Sequence, residues 1–117
     1  MRAAGYQTLD MWQKAHRWVV DVYRITGQFP REEVYALGNQ LRRAAAAVPI
    51  NIAEGYRRLG AKDKLRFYNY AQTSLDEAEY QLLLAHDLGY GDTSSQRAIA
   101  DELARMLNAY TRKLRNS

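Results

Sequence analysis

Lys62, Lys64 and Arg66 place three cations within five residues, with only Asp63 among them carrying the opposite charge. Ammonium and guanidinium groups at that spacing suit charge-assisted contact with phosphate oxygens, which gives affinity with little reading of base sequence. The hydrophobic spacing places all three in the first turns of a helix, where the positive end of the helix dipole disfavours cations. Their placement therefore costs a little folding stability and points to function. Arg57, Arg58, Arg112, Lys113 and Arg115 fall near expected helix C-termini, where the dipole favours positive charge and no ligand is needed to explain them. Together these eight residues are the sequence's candidates for a phosphate-contacting surface. A merely solvated basic face is the alternative reading.

Other chemistries find less support. With no cysteine there is no disulfide scaffold, thiolate metal site or cysteine nucleophile. A di-iron site in a helical bundle needs Glu-x-x-His, but Gln13 and Leu83 stand three residues before the two histidines, His16 and His86. No Gly-x-Ser-x-Gly element is present, and Gly89-Tyr90-Gly91 lacks the Gly-Lys-Ser/Thr of a phosphate loop. No catalytic residue, metal ligand or cofactor is expected, and the chain is read as a non-enzyme. Trp12, Tyr23, Tyr68 and Tyr110 lie on or beside helical stripes and suit core or interface packing.

The elements that must position the cations follow from apolar spacing. Met11, Trp12, Ala15, Val19, Val22 and Tyr23 predict a helix over 9–26, with Thr8 as N-cap and Gly27 as its stop. Beyond Phe29-Pro30, the stripe Val34, Leu37, Leu41, Ala45, Val48, Ile52 and Leu59 predicts a second helix over 31–59. Pro49 removes a backbone donor inside it and is expected to kink it, while Gly38 and Gly55 permit close helix approach. Leu65, Tyr68, Ala71, Leu75, Ala78, Leu82 and Ala85 predict a third helix over 62–88, closed by Gly89. Ile99, Leu103, Met106, Leu107, Tyr110 and Leu114 give a fourth. The fold class is all-α, a single antiparallel up-down-up-down four-helix bundle. A length of 117 residues, 47% apolar and 26% charged, suits one globular domain. No apolar run is long enough to span a membrane and Met1 to Thr8 lacks a signal-peptide core, so a cytoplasmic protein is expected.

In that topology charge sorts along the bundle axis. Residues 67–96 carry five acidic side chains and no Lys or Arg, although the chain as a whole is +4 with a pI near 9.5. One end is expected to collect the eight cations above with Arg2. The other is expected to receive Glu32, Glu33, Asp87, Asp92, Asp101 and Glu102, diluted by Arg24, Arg31 and Arg97.

The segment Gln40-Leu-Arg-Arg-Ala-Ala-Ala-Ala-Val-Pro-Ile-Asn-Ile-Ala-Glu-Gly55 closely resembles the signature of the four-helix bundle proteins encoded within intervening sequences of bacterial 23S ribosomal RNA. Leu9-Asp-Met-Trp-Gln-Lys-Ala15, Phe29-Pro30, Ser74, Glu77 and Ala85-His-Asp-Leu-Gly-Tyr90 extend the resemblance. The same fold is shared with the accessory variability proteins of diversity-generating retroelements, which are basic, pentameric and bind nucleic acid and a reverse transcriptase. The resemblance implies a homopentamer with an RNA or DNA partner. Two departures stand out: Ala47 replaces a frequent Ser, and Gln72-Thr73 replaces a common Arg-Gly pair. Gln40, Arg43, Asn51 and Glu54 carry over as interface or structural polar positions. Arg43 and Glu54 are 11 residues apart, about 16 Å along a helix, so their partners must come from another helix, another subunit or water. Arg43 bonded to a carboxylate across an interface is the preferred arrangement, and a polar network within the bundle is the other.

Two principal functions fit. The first is a homo-oligomeric bundle that contacts RNA or DNA phosphates through its basic ends. The second is a protein-interaction scaffold that uses the acidic third helix and aromatics such as Tyr80 or Tyr90. An enzyme with a site at a subunit junction is a third class, for which the sequence offers no group of residues.

Overall fold

The computed structural model describes residues 5–117. Arg2, expected at the basic end, lies outside the described residues. A 3-10 turn, Gly5–Thr8, precedes α1 (Asp10–Thr26), a one-turn α2 (Arg31–Val34), α3 (Leu37–Arg57), α4 (Ala61–Asp87) and α5 (Ser94–Arg115). The four long helices pack mainly on their chain neighbours, α3 against α4 most extensively, and α1 meets α5 to close the bundle. The molecule measures 46 × 33 × 20 Å.

The core follows the apolar stripes. Ala15, Trp18 and Val22 face inward from α1, Leu41, Ala45, Val48 and Ile52 from α3, Tyr68, Leu75 and Leu82 from α4, and Leu103 and Leu107 from α5. Burial of these side chains at helical spacing holds the amphipathic helices together, since none would be stable alone. At buried Gly55 the two most tightly packed helices touch. A Cβ there would lie 2.7 Å from the Tyr68 ring, so the expected role of a small seam residue is observed.

The second predicted helix is two elements. Its first turn ends at Val34, and Ala36, at φ −111° and ψ −96°, breaks the path before α3 begins. Gly38 explains the tight re-entry, because a Cβ there would come within 3.1 Å of the Glu33 carbonyl. α3 then runs through buried Pro49 without interruption, although the proline offers no N–H to the carbonyl of Ala45.

Thr8 does not cap α1. Its hydroxyl donates to the Gly5 carbonyl at 2.6 Å within the 3-10 turn, and Leu9 precedes the helix without a side-chain cap. Gly27 keeps a right-handed helical conformation, φ −65°. The left-handed stop is Gly89, at φ 79°. There Tyr90 N–H donates to Ala85 O at 2.9 Å and Gly89 N–H to His86 O at 3.0 Å, a Schellman closure.

Candidate nucleic-acid interface

Antiparallel packing brings the α3–α4 connection, the C-terminus of α5 and the Gly5–Thr8 turn to one end. Tyr68 of α4 meets Tyr110 of α5 edge-on at 5.1 Å, and the Arg57 guanidinium lies 5.1 Å from the centre of the Tyr6 ring. All eight cationic candidates belong to this end or to the first turns leading from it.

They divide by their contacts. Lys64 reaches back across the turn, and its Nζ donates to Gly55 O at 3.2 Å and Tyr56 O at 2.7 Å, so it caps the C-terminus of α3. Arg66 donates through Nε and Nη2 to one oxygen of Asp63, at 3.1 and 2.7 Å. That hydrogen bonding, with the charge of Asp63, raises the Arg66 pKa above its ordinary value. Arg58 pairs with Glu54 at 3.0 Å, and Arg58 and Arg66 each lie against the Phe67 ring, at 4.4 and 4.8 Å. The cost inferred from placing Lys64 and Arg66 at a helix start is thus offset by local partners, and the dipole argument for function does not extend to them. Lys62, Arg112, Lys113 and Arg115 are exposed and have no hydrogen bond or ion pair from their side chains among the described residues, and Arg57 has only its aromatic contact.

Along the outer side of α3 the four polar candidates do not form a network. Gln40 and Arg43 are exposed without a side-chain partner among the described residues, Asn51 Nδ2 donates to Ala47 O at 2.8 Å, and Glu54 takes Arg58. No bond joins Arg43 to Glu54, as their separation along one helix requires.

The acidic side is less simple than its sequence. Glu102 pairs with Lys14 at 2.7 Å and Asp101 with Arg105 at 2.6 Å, partway along the bundle, so these two do not build the far end. Hydrogen bonding from Lys14 and its charge hold the Glu102 carboxyl below its ordinary pKa. Partial burial, with Asp101 and Asp76 nearby, raises that of Glu79. Tyr80 is 62% exposed, whereas Tyr90 is half-buried against Phe29 at 5.8 Å and is no free aromatic.

Two arrangements escape sequence reading. Arg42 caps α1 from α3, with Nε donating to Thr26 Oγ1 at 2.7 Å and Nη2 to Tyr23 O at 3.2 Å. Tyr6, Trp12 and His16 form an aromatic ladder at the edge of the core, against which Trp12 packs. The four-residue step from Trp12 to His16 is visible in the sequence, but the return of Tyr6 onto it is not. Among the described residues no three His, Asp or Glu side chains come together to hold a metal ion, and no helix is long and apolar enough to cross a membrane.

Residues 7–109 match the family described as 23S rRNA-intervening sequence protein. The chain belongs to this family. The match covers α1 to α4 and most of α5; Arg57, Arg58, Lys62, Lys64 and Arg66 fall within the matched span, while Arg112, Lys113 and Arg115 lie beyond it. No curated protein matches the chain.

Proposed function

We propose that this member of the 23S rRNA-intervening sequence family is a non-catalytic, self-associating cytoplasmic bundle that binds RNA or DNA through its basic end. The supporting observation is the surplus of cations there: Arg57, Lys62, Arg112, Lys113 and Arg115 have no carboxylate partner among the described residues. Contacts of this kind release counterions, so the logarithm of the affinity falls linearly with the logarithm of salt concentration. Fluorescence anisotropy with structured RNA, single-stranded RNA and duplex DNA tests the reading. Salt-dependent binding that Lys62→Glu/Arg112→Glu/Arg115→Glu loses while melting like wild type supports it. Equal binding by the triple variant refutes it.

Self-association is supported by Arg43, exposed and without a side-chain partner among the described residues, and by the carboxylates of Asp76 and Glu79, which outnumber the one cation beside them, Arg97, next to exposed Tyr80 and Leu83. Arg43 of one copy against those carboxylates on the next makes a head-to-tail contact, the kind that closes into a ring. Arg43→Glu is expected to lower the particle mass in sedimentation, and Glu79→Arg in the same chain to restore it. Unchanged mass in Arg43→Glu removes this contact. A folded protein that binds no nucleic acid at physiological salt favours the protein-interaction scaffold over the nucleic-acid reading.

A further inference from the structure

Beside the basic end, between α1 and α3, lies an open cavity of about 390 Å³ walled by Trp12, Val19, Ala46, Pro49 and Ala53, with the charged Glu54 and Arg57 also in its lining. That volume falls within the ~300–1,000 Å³ of small-ligand sites. The Trp12 and His16 rings are parallel to within 3° with centroids 5.2 Å apart, and Tyr6 meets Trp12 at 5.2 Å and 64°. His16 is exposed and Trp12 half-buried, packed against the core on one side, so the ladder reaches from the core's edge to the surface. The Arg57 guanidinium stands over Tyr6 at 5.1 Å with no carboxylate partner among the described residues. Planar rings at a largely apolar cavity, with the Glu54 carboxylate in its lining already paired with Arg58 at 3.0 Å and the Arg57 cation left for a ligand, match a flat, uncharged heterocycle joined to an anion.

We infer that this cavity takes one unpaired nucleobase, stacked with the Trp12–His16 ladder, while Arg57 holds the phosphate attached to it. The inference rests on the nucleic-acid reading above and deepens it. Phosphate contacts elsewhere on the basic end position the strand, and the cavity makes the protein prefer unpaired bases to a duplex whose bases are already stacked. The site adjoins the proposed self-association contact, because its Ala46 wall is three residues, about 4.5 Å along α3, from Arg43, and particle mass is therefore read for each variant.

The test compares a single-stranded RNA with an abasic ribose-phosphate chain of the same length and phosphate count, by anisotropy and tryptophan emission on the full chain. Stacking of one base is expected to make the RNA bind roughly 5- to 100-fold more tightly than the abasic chain. It is also expected to quench emission in wild type and not in Trp12→Phe, since Trp18 is buried. Ala53→Leu, which fills the cavity without changing charge, should bind both chains alike, and melting curves verify that each variant folds. Equal affinity of wild type for the two chains without quenching overturns the cavity site and leaves the phosphate reading intact. Failure to bind either chain overturns both. A change in particle mass in Ala53→Leu or Trp12→Phe shows that a second copy covers the cavity, which also overturns the inference.

Discussion

The two ends of the bundle treat their polar side chains differently. At the end built from α2 and the α4–α5 turn, several of them join elements, while exposed Arg31 and Asp87 leave charge of both signs without a side-chain bond among the described residues. Arg42 caps α1, the buried Thr93 hydroxyl donates to Leu82 O at 2.7 Å, and Trp18 Nε1 donates to Gln96 O at 3.0 Å. Asp92 accepts from the Ser94 hydroxyl and N–H at 2.6 and 3.0 Å, and those bonds hold its carboxyl below its ordinary pKa. At the basic end Lys64, Arg66 and Arg58 are engaged in the same way, but five further cations are not. Charge by itself therefore does not mark a binding surface. The proposed binding surface rests on the charge left over after the caps and ion pairs are assigned.

The largest expected effect concerns the rigidity of the basic end. Gly55→Ala drives a Cβ into the buried Tyr68 ring and should destabilise the fold by about 1–3 kcal/mol in chemical denaturation. Gly60→Ala, in the same connection with nothing within 4 Å of its Cβ, is the control. Equal stability of the two variants would mean that α3 and α4 do not approach closely there.

Next is the division among the cations themselves. Lys64→Met removes two bonds to the end of α3 and should cost about 0.5–1.5 kcal/mol, whereas Lys62→Met should melt within about 0.5 kcal/mol of wild type. Nucleic-acid affinity should respond to Lys62. If the stability effects are reversed, the assignment of engaged and surplus cations is wrong.

The smallest effect separates the far end by pH. Since the Asp92 carboxyl is lowered from 3.8 in the fold, its contribution is present above that pH and lost as pH falls through the folded value. Asp92→Asn should therefore melt below wild type at neutral pH, and the gap should shrink at the acid end of a pH series. A gap independent of pH removes the linkage.

The stripes of α4 and α5 are legible because each repeats inward-facing residues through several turns, whereas in α1 the buried Trp18 lies outside the predicted stripe and Tyr23, placed on it, is 47% exposed. The break at Tyr35 and Ala36 is not, since Val34 and Leu37 remain three residues apart and both pack on the core side of it. The collection of cations at one end follows from topology alone. Which of them are engaged depends on chain reversal: Lys64 finds Gly55 only because α4 folds back on α3, and Tyr6 finds Trp12 only through a 3-10 turn that Thr8 stabilises from within.

The most direct measurement matches two charge reversals of equal size, Lys62→Glu/Arg115→Glu at the basic end and Arg24→Glu/Arg31→Glu at the other. Both change the net charge by the same amount. Anisotropy with one RNA across a salt series should show the first variant losing affinity and flattening its salt slope, while the second stays close to wild type because screening confines the effect of a distant charge. Equal losses in the two variants would show that net charge alone attracts the nucleic acid, and would contradict the assignment of binding to the surplus cations of one end.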